Sequence, residues 1–125
     1  MKKILLFLIL FHSLASLTFA GDFGTNILKL KTTNSCVMCN LNGAEFTGVD
    51  LSGANLSDTS FRGADFIGAN LKNTDFTGTD LTGADLTGAD LSYSNLTGAN
   101  LSEINLTGAI LCNTETPWGM DYSGC

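Results

Sequence analysis

The chain has 125 residues, with 12 acidic against 6 basic side chains, one histidine and four cysteines, for a formal net charge of −6. That balance excludes the basic face that DNA, RNA or anionic lipid requires. The lone histidine, His12, stands near the start of the chain, so nothing after it offers an imidazole for catalysis or metal binding.

Met1-Lys2-Lys3 is a short positive start, Ile4 to Phe11 is an unbroken apolar run, and 13–20 is rich in small residues. This pattern predicts a signal peptide over 1–20, cleaved after Thr18-Phe19-Ala20 to leave Gly21 at the mature N-terminus. The apolar run is too short and too N-terminal to favour a permanent membrane span, which leaves an uncleaved anchor as the alternative. No cysteine adjoins the cleavage point, which speaks against a lipoprotein. Loss of Lys2 and Lys3 leaves 4 basic and 12 acidic residues, a net charge of −8. The expected location is the bacterial periplasm or the medium. Segment 21–38 follows as an N-terminal cap. Within it Asn26 to Lys31 is expected to form a short helix or strand, with Ile27, Leu28 or Leu30 turned to the core behind it.

From Leu41 to Leu111 every fifth residue is Leu or Phe: Leu41, Phe46, Leu51, Leu56, Phe61, Phe66, Leu71, Phe76, Leu81, Leu86, Leu91, Leu96, Leu101, Leu106 and Leu111. In a flat strand, positions five apart face opposite ways. In an α-helix a step of five rotates the side chain by roughly 140°, so no stripe forms. For all of these residues to point inward, the chain must turn a corner once per repeat, and four corners close a square coil. Such coils stack as a solenoid, since none buries its core alone.

The other columns agree. Two residues before each large one stand small groups such as Ala44, Ala54, Ala64, Ala84 and Ala99, and the residue just before it is polar in every repeat but the last. Two residues after it Gly dominates, which suits a corner with φ > 0. Asp58, Asn73 and Asn113 tolerate that conformation. Tyr93 and Glu103 do so poorly, so a different turn is expected at those two corners.

Segments such as Gly83-Ala84-Asp85-Leu86-Thr87 and Gly98-Ala99-Asn100-Leu101-Ser102 resemble the A-(D/N)-L-x-x motif of the pentapeptide-repeat family. The resemblance covers 39–113. It implies an all-β fold, a right-handed quadrilateral parallel β-helix of just under four coils, with a rod length of roughly 18 Å at about 4.8 Å per stacked strand. A stacked solenoid exposes apolar cross-sections and strand edges at both ends, so caps are expected there. The tail, 114–125, holds the only proline and the only tryptophan and is expected to fold over the last coil.

Cys36 and Cys39 sit where the repeats begin, and Cys112 and Cys125 sit where they end. A disulfide needs Cα atoms within about 7 Å, which a rod of this length denies to cross-end pairs. Local bridges, Cys36–Cys39 and Cys112–Cys125, are therefore expected, in keeping with an even count in an exported chain. The alternatives are a redox-active Cys-x-x-Cys, which lacks its usual helix setting, or a zinc site, which lacks four ligands in one place. Cys-x-x-Cys before the repeats and a Cys-ended tail after them also resemble a group of small exported family members.

Residues twenty apart stack, so Glu45, Asp65 and Asp85 fall in one outward acidic column with Asn105, and Asp50 and Asp90 fall in another with Asn70. Adjacent carboxylates are candidates for acid–base work or calcium binding, but the repeat itself imposes their spacing. A rigid ladder also lacks the wrapping ligands that calcium prefers. No catalytic, cofactor-binding or metal-binding residue is assigned. A column of Thr47, Ile67, Thr87 and Thr107, beside Ser57, Thr77 and Thr97 on the next face, is compatible with ordering water, although Ser and Thr simply suit exposed strand positions.

The reading that results is a non-enzymatic exported module, structural or protein-interacting, presenting a rigid acidic surface to an unknown protein partner. No direct nucleic-acid binding and no stable membrane span after signal cleavage are expected, and the chain is a monomer or an end-to-end dimer. The alternative is the DNA mimicry by which some family members bind gyrase. The export signal, the short rod and the lack of an evident apolar dimerising end disfavour it. A thiol redox or metal protein working through Cys36 and Cys39 is the third reading.

Overall fold

The computed structural model describes residues 22–125. The signal peptide and cleavage point read over 1–20 lie outside them. Helix α1, Phe23–Thr33, comes first. Its start is fixed by Asp22, whose carboxylate accepts the Thr25 N–H at 2.8 Å. Its end is fixed by Asn34, which takes the left-handed conformation at φ 53° and donates its N–H to the Leu30 carbonyl. Leu30 is buried and Ile27 packs on the core, whereas Leu28 stays at the surface.

The rest of the ladder is built from single parallel bridges, each joining a residue to the one twenty positions on. Ser35, Asn55, Asp75, Asn95 and Glu115 form one chain of bridges, five strands deep. Asn40, Glu45 and Asp50 each start a chain four strands deep. Bridging therefore takes in Ser35 and Glu115, beyond the bounds of 39 and 113 read from the sequence. Cys36, fully buried, stands where the five-residue period places the residue before Leu41, and Thr116 stands five beyond Leu111.

One repeat shows how the backbone is satisfied. The Asp65 N–H reaches back to the Ala44 carbonyl at 2.9 Å, and the Phe66 and Gly68 N–H groups reach forward to Asp85 and Thr87 at 2.7 and 2.9 Å. The Ala69 N–H closes the corner on Phe66 at 3.0 Å, and the Ile67 N–H is taken by the Asp65 side chain at 2.9 Å. All five donors are used, as a buried backbone demands. The corners hold φ > 0 throughout. Tyr93 at φ 62° and Glu103 at φ 57° adopt the same left-handed turn as the glycines, contrary to the different turn expected there. The Tyr93 N–H bonds the Cys112 carbonyl at 3.0 Å, so stacking of the coils outweighs the local preference of the side chain.

Inside, the Leu and Phe ladder forms one continuous core. Phe46 and Phe66, in successive coils, stack with centroids 5.1 Å apart, and Phe61 meets Phe66 edge-on at 5.2 Å. Buried hydroxyls fill the small positions: Thr74 donates to the Leu51 carbonyl at 2.9 Å and Thr114 to Leu91 at 2.7 Å. After Asn113 the chain forms an antiparallel hairpin of β1, Thr114–Thr116, and β2, Gly119–Asp121. It then runs to Leu111, whose N–H meets the Ser123 carbonyl at 2.8 Å.

Candidate functional site

The outward polar columns owe their geometry to a local cause. An Asp or Asn just before the large residue turns its side chain onto the N–H two positions ahead. Asp50 takes Ser52, Asp80 takes Thr82, Asp85 takes Thr87 and Asp90 takes Ser92, at 2.9–3.0 Å. Asn70, Asn95 and Asn105 do the same. These are Asx turns, which explains why the motif uses the two shortest carboxyl and amide side chains. Glu45, one methylene longer, makes no such bond to Thr47 among the described residues. Where Ser60 occupies the column, Asn42 of the preceding coil accepts the Arg62 N–H instead, at 2.8 Å.

This places each acidic residue read from the sequence. Glu45 bridges Asp65, which bridges Asp85, and Asp50 reaches Asp90 through Asn70. Glu45 and Asp50 are exposed; Asp65, Asp85 and Asp90 are half-buried. The Ser52 hydroxyl and N–H hold the Asp50 carboxyl below its usual range, and the Thr87 hydroxyl and N–H do the same for Asp85. The Thr82 hydroxyl and N–H lower Asp80, with a smaller contribution from Arg62. At Asp90 burial pushes upward, and the Ser92 hydroxyl and N–H together with Lys72 more than offset it. These carboxylates are stabilised as anions that accept hydrogen bonds. A general acid needs the opposite shift. Arg62–Asp80 at 3.2 Å and Lys72–Asp90 at 3.1 Å link neighbouring coils on the surface.

The cysteines pair locally. Cys36 and Cys39 are bridged with Cα atoms 5.5 Å apart, and Cys112 and Cys125 at 4.7 Å. Both Cys36 and Cys39 are buried. Among the described residues no cluster of three or more His, Cys, Asp or Glu side chains could hold a metal ion. No helix among them is long and apolar enough to cross a membrane. A shallow groove between α1 and the first coils is lined by Phe23, Ile27, Gly43 and Glu45.

The two ends differ in a way the sequence did not reveal. At the N-terminal end Leu30 is buried, and Asn26 Nδ2 donates to the Asn40 carbonyl at 3.1 Å. At the C-terminal end the tail lies by Leu96 and Leu111, which are buried, while Leu101, Ile104 and Leu106 stay partly exposed. Trp118 is 64% exposed, with Met120 and Tyr122 exposed beside it in the chain. The sequence carried no sign of these exposed apolar side chains at the C-terminal end. The hairpin turns back at Pro117-Trp118 and leaves part of the last coil uncovered.

Comparison with known proteins agrees with this architecture. A family model for pentapeptide repeats matches residues 39–78, 69–108 and 89–115, in 8 copies. A pentapeptide repeat protein from Nostoc PCC 7120 is 35% identical, with 72% of this chain covering 75% of that one and a TM-score of 0.65. One from the Arabidopsis thaliana thylakoid lumen is 27% identical, over 68% of this chain and 67% of that one, with a TM-score of 0.47. QnrB1, a plasmid-mediated fluoroquinolone resistance protein, is 21% identical over 66% and 62%, with a TM-score of 0.42. No curated protein sequence matches. The five-residue ladder, its twenty-residue bridging, the family model and the Nostoc match agree: the chain belongs to the pentapeptide-repeat family.

Proposed function

We propose that the protein is a non-enzymatic exported module, a rigid acidic rod that presents side chains to a protein partner. The fold read here is a right-handed quadrilateral β-helix of four coils with a fifth strand layer on one face, closed by α1 at one end and in part by the hairpin at the other. The observation that carries the reading is the use made of the carboxylates. Asp50, Asp80, Asp85 and Asp90, spread over three of the outward columns, each hold a backbone N–H of their own repeat, so these carboxylates support the corners. All six Lys and Arg residues lie at or before Lys72, which leaves the later coils acidic. Export is supported by the N-terminal pattern of 1–20 and by two bridges that use every cysteine.

The test is the intact mass of the native protein from separated cell fractions, alkylated with and without prior reduction. A periplasmic or secreted species beginning at Gly21, unreactive until reduced, is expected. A full-length cytosolic species with free thiols would overturn the export reading and favour DNA mimicry.

A further inference from the structure

We infer that the Cys112–Cys125 bridge is a thiol–disulfide exchange site, opened by a dithiol reductant while Cys36–Cys39 stays closed. In the sequence the redox alternative pointed to Cys36 and Cys39; the burial of the two bridges points the other way. Cys36 is fully buried and Cys39 only 7% exposed. Cys36 Sγ lies 3.4 Å from the Asn26 carbonyl of α1, and the Cys39 N–H is taken by the Thr59 hydroxyl of the next coil at 3.1 Å. Cys125 is exposed and Cys112 half-buried. Exchange requires a thiolate to reach one sulfur of the bond it breaks. Of the two bridges, the C-terminal one alone offers an exposed cysteine.

The geometry also chooses the direction of attack. The reductant's thiolate attacks Cys125 Sγ and forms a mixed disulfide, and the electron pair of the broken S–S bond leaves on Cys112 Sγ. A second thiol of the reductant then displaces Cys125. The reductant departs as a disulfide, and its two protons end on the two cysteines. The thiol of lower pKa leaves faster. Asn113 Nδ2 donates to Cys112 Sγ at 3.3 Å, which favours the thiolate there. What the bridge restrains is the end of the tail. The Ser123 carbonyl accepts the Leu111 N–H at 2.8 Å, and Gly124, at φ 85°, packs on Ile110 so closely that a Cβ would stand 3.1 Å from Cγ2. Strand β1 is held independently, by the Glu115 N–H on Ser94 at 3.0 Å and the Leu96 N–H on Glu115 at 2.6 Å. Opening the bridge therefore frees 122–125 from Leu111 and leaves the coils in place.

The experiment treats the folded, disulfide-intact protein with dithiothreitol for timed intervals, alkylates the free thiols and locates the labels by peptide mass. The expected result is labelling of Cys112 and Cys125 about tenfold or more faster than of Cys36 and Cys39, with faster amide exchange at Leu111 in the half-reduced species and none gained at Leu86. Equal rates for the four cysteines, or Cys36 and Cys39 opening first, overturn the inference. Asn113 is a positioning residue, tested in Cys125→Ser, where the pH profile of Cys112 alkylation gives its thiol pKa. Asn113→Gly suits the left-handed corner at φ 54° and removes the donor. It should raise that pKa and slow reduction of the intact bridge; an unchanged pKa overturns the choice of Cys112 as leaving group. Circular dichroism checks that each variant folds, and should one not fold, the order of labelling in the wild type decides. Export is read from the location and mass of the untreated protein, so the two proposals fail separately.

Discussion

Replacing Leu86 by alanine is expected to destabilise the fold by about 3–4 kcal/mol. Leu86 is fully buried, in the column that runs from Phe46 through Phe66 to Leu106. The three carbon groups removed lose about 2.4 kcal/mol of transfer free energy, at about 0.8 kcal/mol each. The surrounding coil cannot close inward. The Leu86 N–H is held to Asn105 at 2.8 Å, the Asp85 N–H to Ala64 at 2.9 Å and the Ala89 N–H to Leu86 at 3.0 Å. A cavity therefore remains and adds about 1 kcal/mol. Urea unfolding followed by circular dichroism measures the sum, with an unchanged m-value confirming that compactness is preserved. Thr87→Ala, one residue on, loses the surface hydroxyl's bonds to the Asp85 carboxylate and from the Asn105 amide and no core, and is expected to cost about 1 kcal/mol. Equal losses from the two variants would refute the inward and outward assignment.

The buried Ser94 hydroxyl has no hydrogen-bond partner among the described residues, while Thr74 and Thr114, twenty positions either side, donate to carbonyls. Ser94→Ala is therefore expected to raise stability by about 1 kcal/mol and Thr74→Val to lower it by a similar amount, both read from urea midpoints. The Cys112–Cys125 bridge spans a sequence separation of 13. Replacing both cysteines by serine is expected to cost about 3 kcal/mol, also by urea unfolding, if the chain-entropy account holds. Asp50, Asp80, Asp85, Asp90 and Asp121 all have folded pKa values below their ordinary range. The folded state thus binds fewer protons, and their stabilisation is complete above the unfolded value of about 3.9. It is lost as pH falls through the folded values, so Tm should be flat near neutrality and drop below about pH 4. A Tm that rises on acidification contradicts the assignment.

The core and the local cysteine pairs were legible in the sequence because a strict period leaves large residues only one way to face. Cys36 and Thr116 escaped notice as ladder positions since one is small and the other polar, although the period of five reaches both. Tyr93 and Glu103 escaped because local propensity argued against φ > 0; stacking overrides it, through the Cys112 carbonyl at Tyr93 and through the preceding coil's Gly83 N–H on the Ser102 carbonyl beside Glu103. The Asx turns were visible only as a composition: their cause is a bond between a side chain and a backbone N–H two residues on, which no hydropathy pattern records. The open half of the C-terminal end depends on where the hairpin turns. Pro117 marks a turn there but does not say which columns the returning strand will cover.

The central claim is that the acidic columns hold the corners of the coil. Amide exchange at Thr87 in an Asp85→Ala variant tests it most directly, since in the wild type that N–H bonds the Asp85 carboxylate, at 2.9 Å. A hydrogen bond to a charged group contributes about 1.5–3 kcal/mol, so the account predicts faster exchange at Thr87 by about tenfold or more. The Leu86 and Gly88 amides, bonded to the next coil, should change little. Unchanged exchange at Thr87 with the fold intact would contradict the claim and leave those carboxylates available for another purpose.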